Sequence, residues 1–214
     1  MKNLSFVTRD KLTDYIESLI ENNKIHTNKT SINPNSITEC TRKLIYRTST
    51  TTNEQDNCFA HLKKRWIKML KDSTKVEIAV SEVLSDCNYN LSAVADAFIK
   101  INDKISVLKI QPVTEEDFNK VQNKGAIKKH VIDLMCQMWM AEIDDGILLY
   151  DDVFSCKYMV YHVTLYRPII ESIKRKALQL VDHQIKGTLP EKPYKNKNSE
   201  ECVGCQFINK CWEK

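Results

Sequence analysis

The sequence predicts an α/β domain in which one sheet is flanked by helices. Two observations support this. Helical periodicity opens the chain, gives way to β-branched stretches between residues 75 and 113, and returns before a second set of strands. The composition is also that of a folded unit: 42% of the 214 residues are hydrophobic, with four glycines and five prolines, enough for one sizeable core and too few breakers for flexible linkers.

Residues 8–23 read as an amphipathic helix, because Leu12, Tyr15, Ile16, Leu19 and Ile20 recur at helical spacing behind Thr8 as N-cap. A polar loop follows. Ser36-Ile-Thr-Glu39 has the form of a capping box, which predicts a helix starting at Ser36 with Cys40 in its first turn. Residues 48–57 are rich in Thr and Asn and read as a loop, and a third helix is expected over 57–72.

Three strands are then expected: Lys75–Leu84, Leu91–Ile101 and Lys104–Val113, the last two joined by a turn at Asn102-Asp103. Helices are predicted over 115–124 and 127–144, broken near Gly125. Ile147–Tyr150 and Tyr158–Leu165 read as two further strands. Pro168 suits a first helical position, and the helix it opens runs to Ile185 with Gly187 as its stop. Residues 188–200 form a polar connection. No internal repeat is present.

Lysine and arginine exceed aspartate and glutamate by 32 to 28, a net charge of +4. That balance is only mildly basic. The cations cluster, however, at Lys63, Lys64 and Arg65, at Lys120, Lys124, Lys128 and Lys129, and at Lys174, Arg175 and Lys176. Such clusters suit phosphates, although solvated helix faces look the same. No apolar run approaches the ~20 residues of a membrane span. The N-terminus lacks the apolar core of a secretory signal.

Eight cysteines in such a chain argue against a disulfide scaffold. Cys58, Cys87, Cys136 and Cys156 stand singly and are expected as small core residues. Cys202, Cys205 and Cys211 form a C-x2-C-x5-C run in a segment poor in apolar residues. Three thiols so close suit a metal centre. A fourth ligand must come from upstream, where five cysteines qualify. Zinc and iron–sulfur both accept four thiolates, and the spacing leaves both open.

The segment Ser36-Ile-Thr-Glu-Cys40-Thr-Arg-Lys-Leu-Ile-Tyr46, taken with the distal cysteine run, resembles the four-cysteine RecB-like nucleases associated with CRISPR systems, of the PD-(D/E)xK superfamily. The resemblance covers about residues 30–214. It implies a restriction-endonuclease-like core sheet and selects Cys40 as the fourth ligand of a 4Fe-4S cluster, with zinc as the alternative. The cluster would join N- and C-terminal parts of the chain. The implied organisation is an N-terminal helix over 1–30, a nuclease-like core over 31–187, and a cysteine segment over 188–214 packed on that core.

The family's catalytic positions match in part. His61 falls where the family places a histidine, and Asp96 in Val94-Ala-Asp96-Ala where it places an aspartate at a strand end. The Glu-x-Lys motif does not match: Lys109 stands at the glutamate position and Gln111 at the lysine position. The later Gln-x3-Tyr motif finds only Asp133-Leu-Met-Cys-Gln137. Cleavage of this kind needs Mg2+ or Mn2+ held by carboxylates. An ammonium in place of the second carboxylate opposes that by several kcal/mol in a partly buried site.

The expected function is therefore DNA binding by an inactivated nuclease fold, with Arg42, Lys63, Lys64, Arg65, Lys124, Lys128 and Lys129 as candidate phosphate contacts. The resemblance extends this to coating or packaging DNA, with self-association, as in the nucleocapsid of a filamentous archaeal virus. The expected location is then the virion, and otherwise the cytoplasm. The alternatives are an active metal-dependent DNA exonuclease and a non-catalytic adaptor.

Overall fold

The computed structural model describes residues 32–48, 60–73, 76–80, 83–101, 103–155, 157–199 and 201–212. The helix expected over 8–23 lies outside them. Helices are α1 (Thr41–Thr48), α2 (Ala60–Lys71), α3 (Glu115–Lys124), α4 (Lys128–Met140), α5 (Arg167–Lys186) and α6 (Ile208–Trp212). Strands are β1 (Glu77–Val80), β2 (Val83–Asp86), β3 (Leu91–Val94), β4 (Ala97–Ile101), β5 (Lys104–Val113), β6 (Asp145–Asp152) and β7 (Tyr158–Thr164).

The main sheet has the order β1-β4-β5-β6-β7, and β2-β3 form a separate hairpin. Within the main sheet β5 and β6 run parallel, and the other neighbours are antiparallel. Strand β5 is central and covered on both faces, which is why it reads as an almost unbroken apolar run. Its side chains alternate. Leu108 and Ile110 join Ile78, Ala97, Ile99, Ile147 and Leu149 beneath Trp66, Ile67 and Leu70 of α2. Val107 and Val113 face the other way, in one core with Leu134, Met135 and Met138 of α4. Lys109 shares the parity of Val107 and so points towards α4.

Helix α4 is buried nearly all round, since nine of its 13 residues are in the interior. It lies between the sheet and α5, whose buried stripe is Ile170, Ile173, Ala177 and Leu180. Its close approach to β6 depends on Gly146, where a Cβ would stand 2.5 Å from Met138 Sδ. Pro112 sits inside β5 without breaking it: beyond Leu108 the strand pairs, among the described residues, with β6 alone, so no described ladder donor is lost on the other side.

Several expected elements are corrected. The strand expected over 75–84 is two strands in different sheets, β1 and β2. The one expected over 91–101 is divided at Ala95-Asp96, where the chain passes from the hairpin into the main sheet. β-Branched enrichment marks extended backbone but not a change of sheet. The helix expected from Ser36 begins at Thr41, just after Cys40. Pro34–Ser36 is a 3-10 turn instead. Its capping box does not form, because Glu39 pairs with Lys43 and Arg47. The helix expected to 144 stops at Met140, and Glu142 then takes the left-handed conformation, φ 56°. Strand β5, helix α3 and the αL cap at Gly187 match expectation. Cys136 is buried as expected, Cys87 is exposed, and Cys58 and Cys156 lie outside the described residues.

Candidate functional site

The acidic side chains at one end of the main sheet are held by cations from within the fold. Asp96 precedes β4 and lies beside β5, where its Oδ2 accepts the Ile110 N–H at 2.7 Å. Its Oδ1 binds Lys63 Nζ at 2.8 Å. Lys109, directed to the other face by strand alternation, meets Asp133 of α4 with Nζ 2.5 Å from Oδ2. Both side chains are almost fully enclosed, at 6% and 2% exposure. Asp151, at the end of β6 and wholly buried, accepts from Arg65 Nη2 at 2.9 and 3.2 Å and from Trp66 Nε1 at 2.9 Å. Helix α2 thus reaches across the strand ends through Lys63, Arg65 and Trp66.

The remaining cleft candidates are dispersed. His61 is exposed on α2. Lys63 and Lys64 line an open concavity of about 520 Å3 with Asp96, Lys68 and Lys71, and His61 is not part of its wall. Gln111 Nε2 donates to the Pro112 carbonyl at 3.3 Å. Gln137 is buried on α4, and its Oε1 has no hydrogen-bond partner among the described residues. His130, near Asp133 on α4, is buried with Nδ1 3.1 Å from the Tyr150 hydroxyl, which also accepts the Ile127 N–H. Burial, then the charges of Lys129 and Lys109, pull its pKa down to about 4. Burial pushes Tyr150 up to about 12. Lys124, Lys128 and Lys129 are exposed around the α3–α4 junction.

Among the described residues no group of three or more His, Cys, Asp or Glu side chains could hold a metal ion. For Mg2+ or Mn2+ the described carboxylates do not fit as they stand: Asp96 and Asp151 are engaged by Lys63 and Arg65, and Asp133 by Lys109.

The cysteines form a second region. Cys40, Cys202, Cys205 and Cys211 all line one concavity of about 220 Å3, with Tyr46, Tyr194 and Phe207 in its wall. None is in a disulfide, and each is partly buried. Local turns bring the distal three together: the Cys205 N–H donates to Cys202 O, the Ile208 N–H to Cys205 O and the Cys211 N–H to Phe207 O. Gly204 supplies the φ of 80° that the Cys202–Cys205 turn needs. Contacts to α1 fasten the segment: Arg42 Nη1 donates to Cys211 O at 3.3 Å and to its Sγ at 3.6 Å, and Tyr46 stacks obliquely on Phe207 at 5.6 Å. Arg42 is therefore engaged internally, as are Lys63 and Arg65.

Asp151 is the site residue that the sequence reading does not single out. Its signal lies in the carboxylate pair Asp151-Asp152, which closes the apolar run Ile147–Tyr150.

The mixed sheet with helices on both faces is the fold of known exonucleases. An alkaline exonuclease from Laribacter hongkongensis superposes with a TM-score of 0.57 at 12% identity, covering 80% of this chain and 93% of its own. A phage-related exonuclease from Haemophilus somnus superposes with a TM-score of 0.51 at 11% identity, covering 73% and 96%. At these identities the likeness is one of fold. No protein-family model matches the sequence, and no curated protein matches it. No described helix is long and apolar enough to cross a membrane.

Proposed function

We propose that this protein binds DNA on a nuclease fold that no longer cleaves it. The buried Lys109–Asp133 pair carries the proposal. Lys109 stands where the resembling nucleases have a glutamate, and Asp133 where they have a glutamine. The two departures meet as one ion pair. A cation alone would be unpaired in the interior; with Asp133 it is neutralised. The site thus gains an internal partner where a metal-dependent nuclease would need metal ligands. Exposed lysines on α2 and at the α3–α4 junction supply phosphate contacts.

Coating or packaging DNA is the use we assign to this binding, in line with the resemblance to an inactivated derivative of the CRISPR-associated nuclease family serving as a viral nucleocapsid. Cys40, Cys202, Cys205 and Cys211 are assigned to a 4Fe-4S cluster. Four thiols around one concavity, with a guanidinium donor at Cys211, support that assignment. Zinc is the alternative, and it requires all four sulfurs within ~2.3 Å of one point. When bound, the cluster would tie the C-terminal segment to α1 as a structural staple.

The deciding experiment incubates purified protein with single- and double-stranded DNA and Mn2+. The expected result is intact DNA and binding that weakens steeply with salt. The fold neighbours favour a second reading, an active exonuclease. Degradation that Asp96→Ala abolishes would establish it and overturn ours. Iron analysis of anaerobically purified protein tests the cluster, and zinc without iron refutes it.

A further inference from the structure

The sheet end that carries Asp151 also presents aromatic rings to solvent. Phe154, on the β6–β7 turn, is 79% exposed, and Tyr158, which opens β7, is 58% exposed. The backbone that carries Phe154 and the ring of Tyr158 are both held by neighbours. Asp152 Oδ1 accepts the Phe154 N–H at 3.1 Å, its other oxygen accepts from Ser155 Oγ, and the Val153 N–H donates to Val113 O at 3.1 Å. Tyr158 stands edge-on to Trp66 with centroids 5.1 Å apart, and Trp66 is itself held by Asp151.

The exposed charge on α2, the helix that carries Trp66, is mainly positive. Asp151 and Asp152 are buried at 0% and 2% exposure and hydrogen-bonded, so they offer little negative surface. Helix α2 contains no acid, and Asp72, exposed, follows its last turn. Its Lys64, Lys68 and Lys71 are exposed at spacings of four and three, which puts them along one helix face over ~10 Å. Lys157, beside Tyr158, is exposed as well.

We propose that this end of the molecule is a track for single-stranded DNA, with Phe154 and Tyr158 as base-stacking platforms and Lys64 and Lys68 as phosphate contacts. The proposal rests on the DNA-binding function above and specifies the strand form. Rings can stack on bases that are splayed out, whereas duplex bases are already stacked on each other. A protein partner would also cover the rings, but the lysine face complements a polyanion.

Fluorescence anisotropy with a labelled oligothymidylate and with a duplex of equal length tests this on the full chain. Phe154→Ala, on an exposed turn, should weaken single-strand binding roughly tenfold, as expected for loss of one base–ring stack. Duplex binding should be unchanged, and Phe154→Trp should retain single-strand affinity. Tyr158→Ala should act in the same direction. Lys64→Ala with Lys68→Ala should weaken binding and flatten its salt dependence. If ring substitutions leave single-strand affinity intact, or reduce duplex affinity equally, the track is wrong while DNA binding stands. If the wild-type protein binds neither DNA form, the proposed function fails and the track fails with it.

Discussion

The cleft and the cysteine pocket treat their reactive groups in opposite ways. At the strand ends Asp96 and Asp151 are met by Lys63 and Arg65, and behind them, on the other face of β5, Asp133 is met by Lys109. Their charge is consumed inside the fold. In the pocket, four thiols line one concavity with no disulfide among them. The cost of burying each kind of group accounts for the contrast. A carboxylate left alone in the interior is costly, so it persists only with a partner. A thiol is a tolerable apolar group, so four of them can share a wall with no opposite charge required. The acids near the strand ends are thus neutralised internally, whereas the pocket's thiols share a wall with no disulfide among them.

The strongest way to break this comparison is to disturb the cleft. Lys109→Glu sets two carboxylates against each other in the interior. It should lower unfolding free energy in urea by about 3–5 kcal/mol, the cost of breaking a buried pair. Combining it with Asp133→Lys should recover most of that loss. An undiminished urea midpoint in the single variant would show that the pair does not hold the cleft.

At the pocket the effect should be local. Cys205→Ser should abolish iron uptake and expose residues 188–200 to protease, while the sheet keeps its urea midpoint. Unchanged protease resistance would count against the staple. Arg65→Ala is the milder test of the cleft, because Asp151 keeps the Trp66 N–H. A loss of about 1–3 kcal/mol is expected for the unsatisfied carboxylate oxygen.

The two regions are also unequally legible in the sequence. The cysteine run stands out because three thiols so close together in a polar segment have no apolar core to fill. Cys40 joins them only through its resemblance to a family motif. Their shared concavity depends on Gly204 and on α1, which local patterns only hint at. Strand β5 and helices α3 and α5 are readable because period, caps and Gly187 agree. The passage at Ala95-Asp96 is not, since alternation continues through a change of sheet. Lys109 and Asp133 are each visible as a departure from a motif. That they pair depends on the parity of β5 and the burial of α4, and neither residue announces the other.

The smallest expected effect concerns the polar group beside that pair. His130 titrates at about 4 instead of the ordinary 6.5, chiefly because burial disfavours its charged form. The neutral ring accepts at Nδ1 if Tyr150, which already receives the Ile127 N–H, gives it the hydroxyl proton. A histidine with a depressed pKa is protonated first in the unfolded chain. Stability is therefore intact above pH ~6.5, falls as pH drops towards 4, and stops falling once both states are protonated. After allowing for partial hydration, the loss should be about 1 kcal/mol. His130→Asn keeps an acceptor for Tyr150 and removes the titration. Thermal melts from pH 7 to 4 should then show a shallower decline in the variant than in the wild type. Parallel declines would mean that the ring is hydrated enough to protonate freely. In that case the polar layer behind Lys109 and Asp133 would be wetter than their burial implies, and the cleft less fully closed by its own charges.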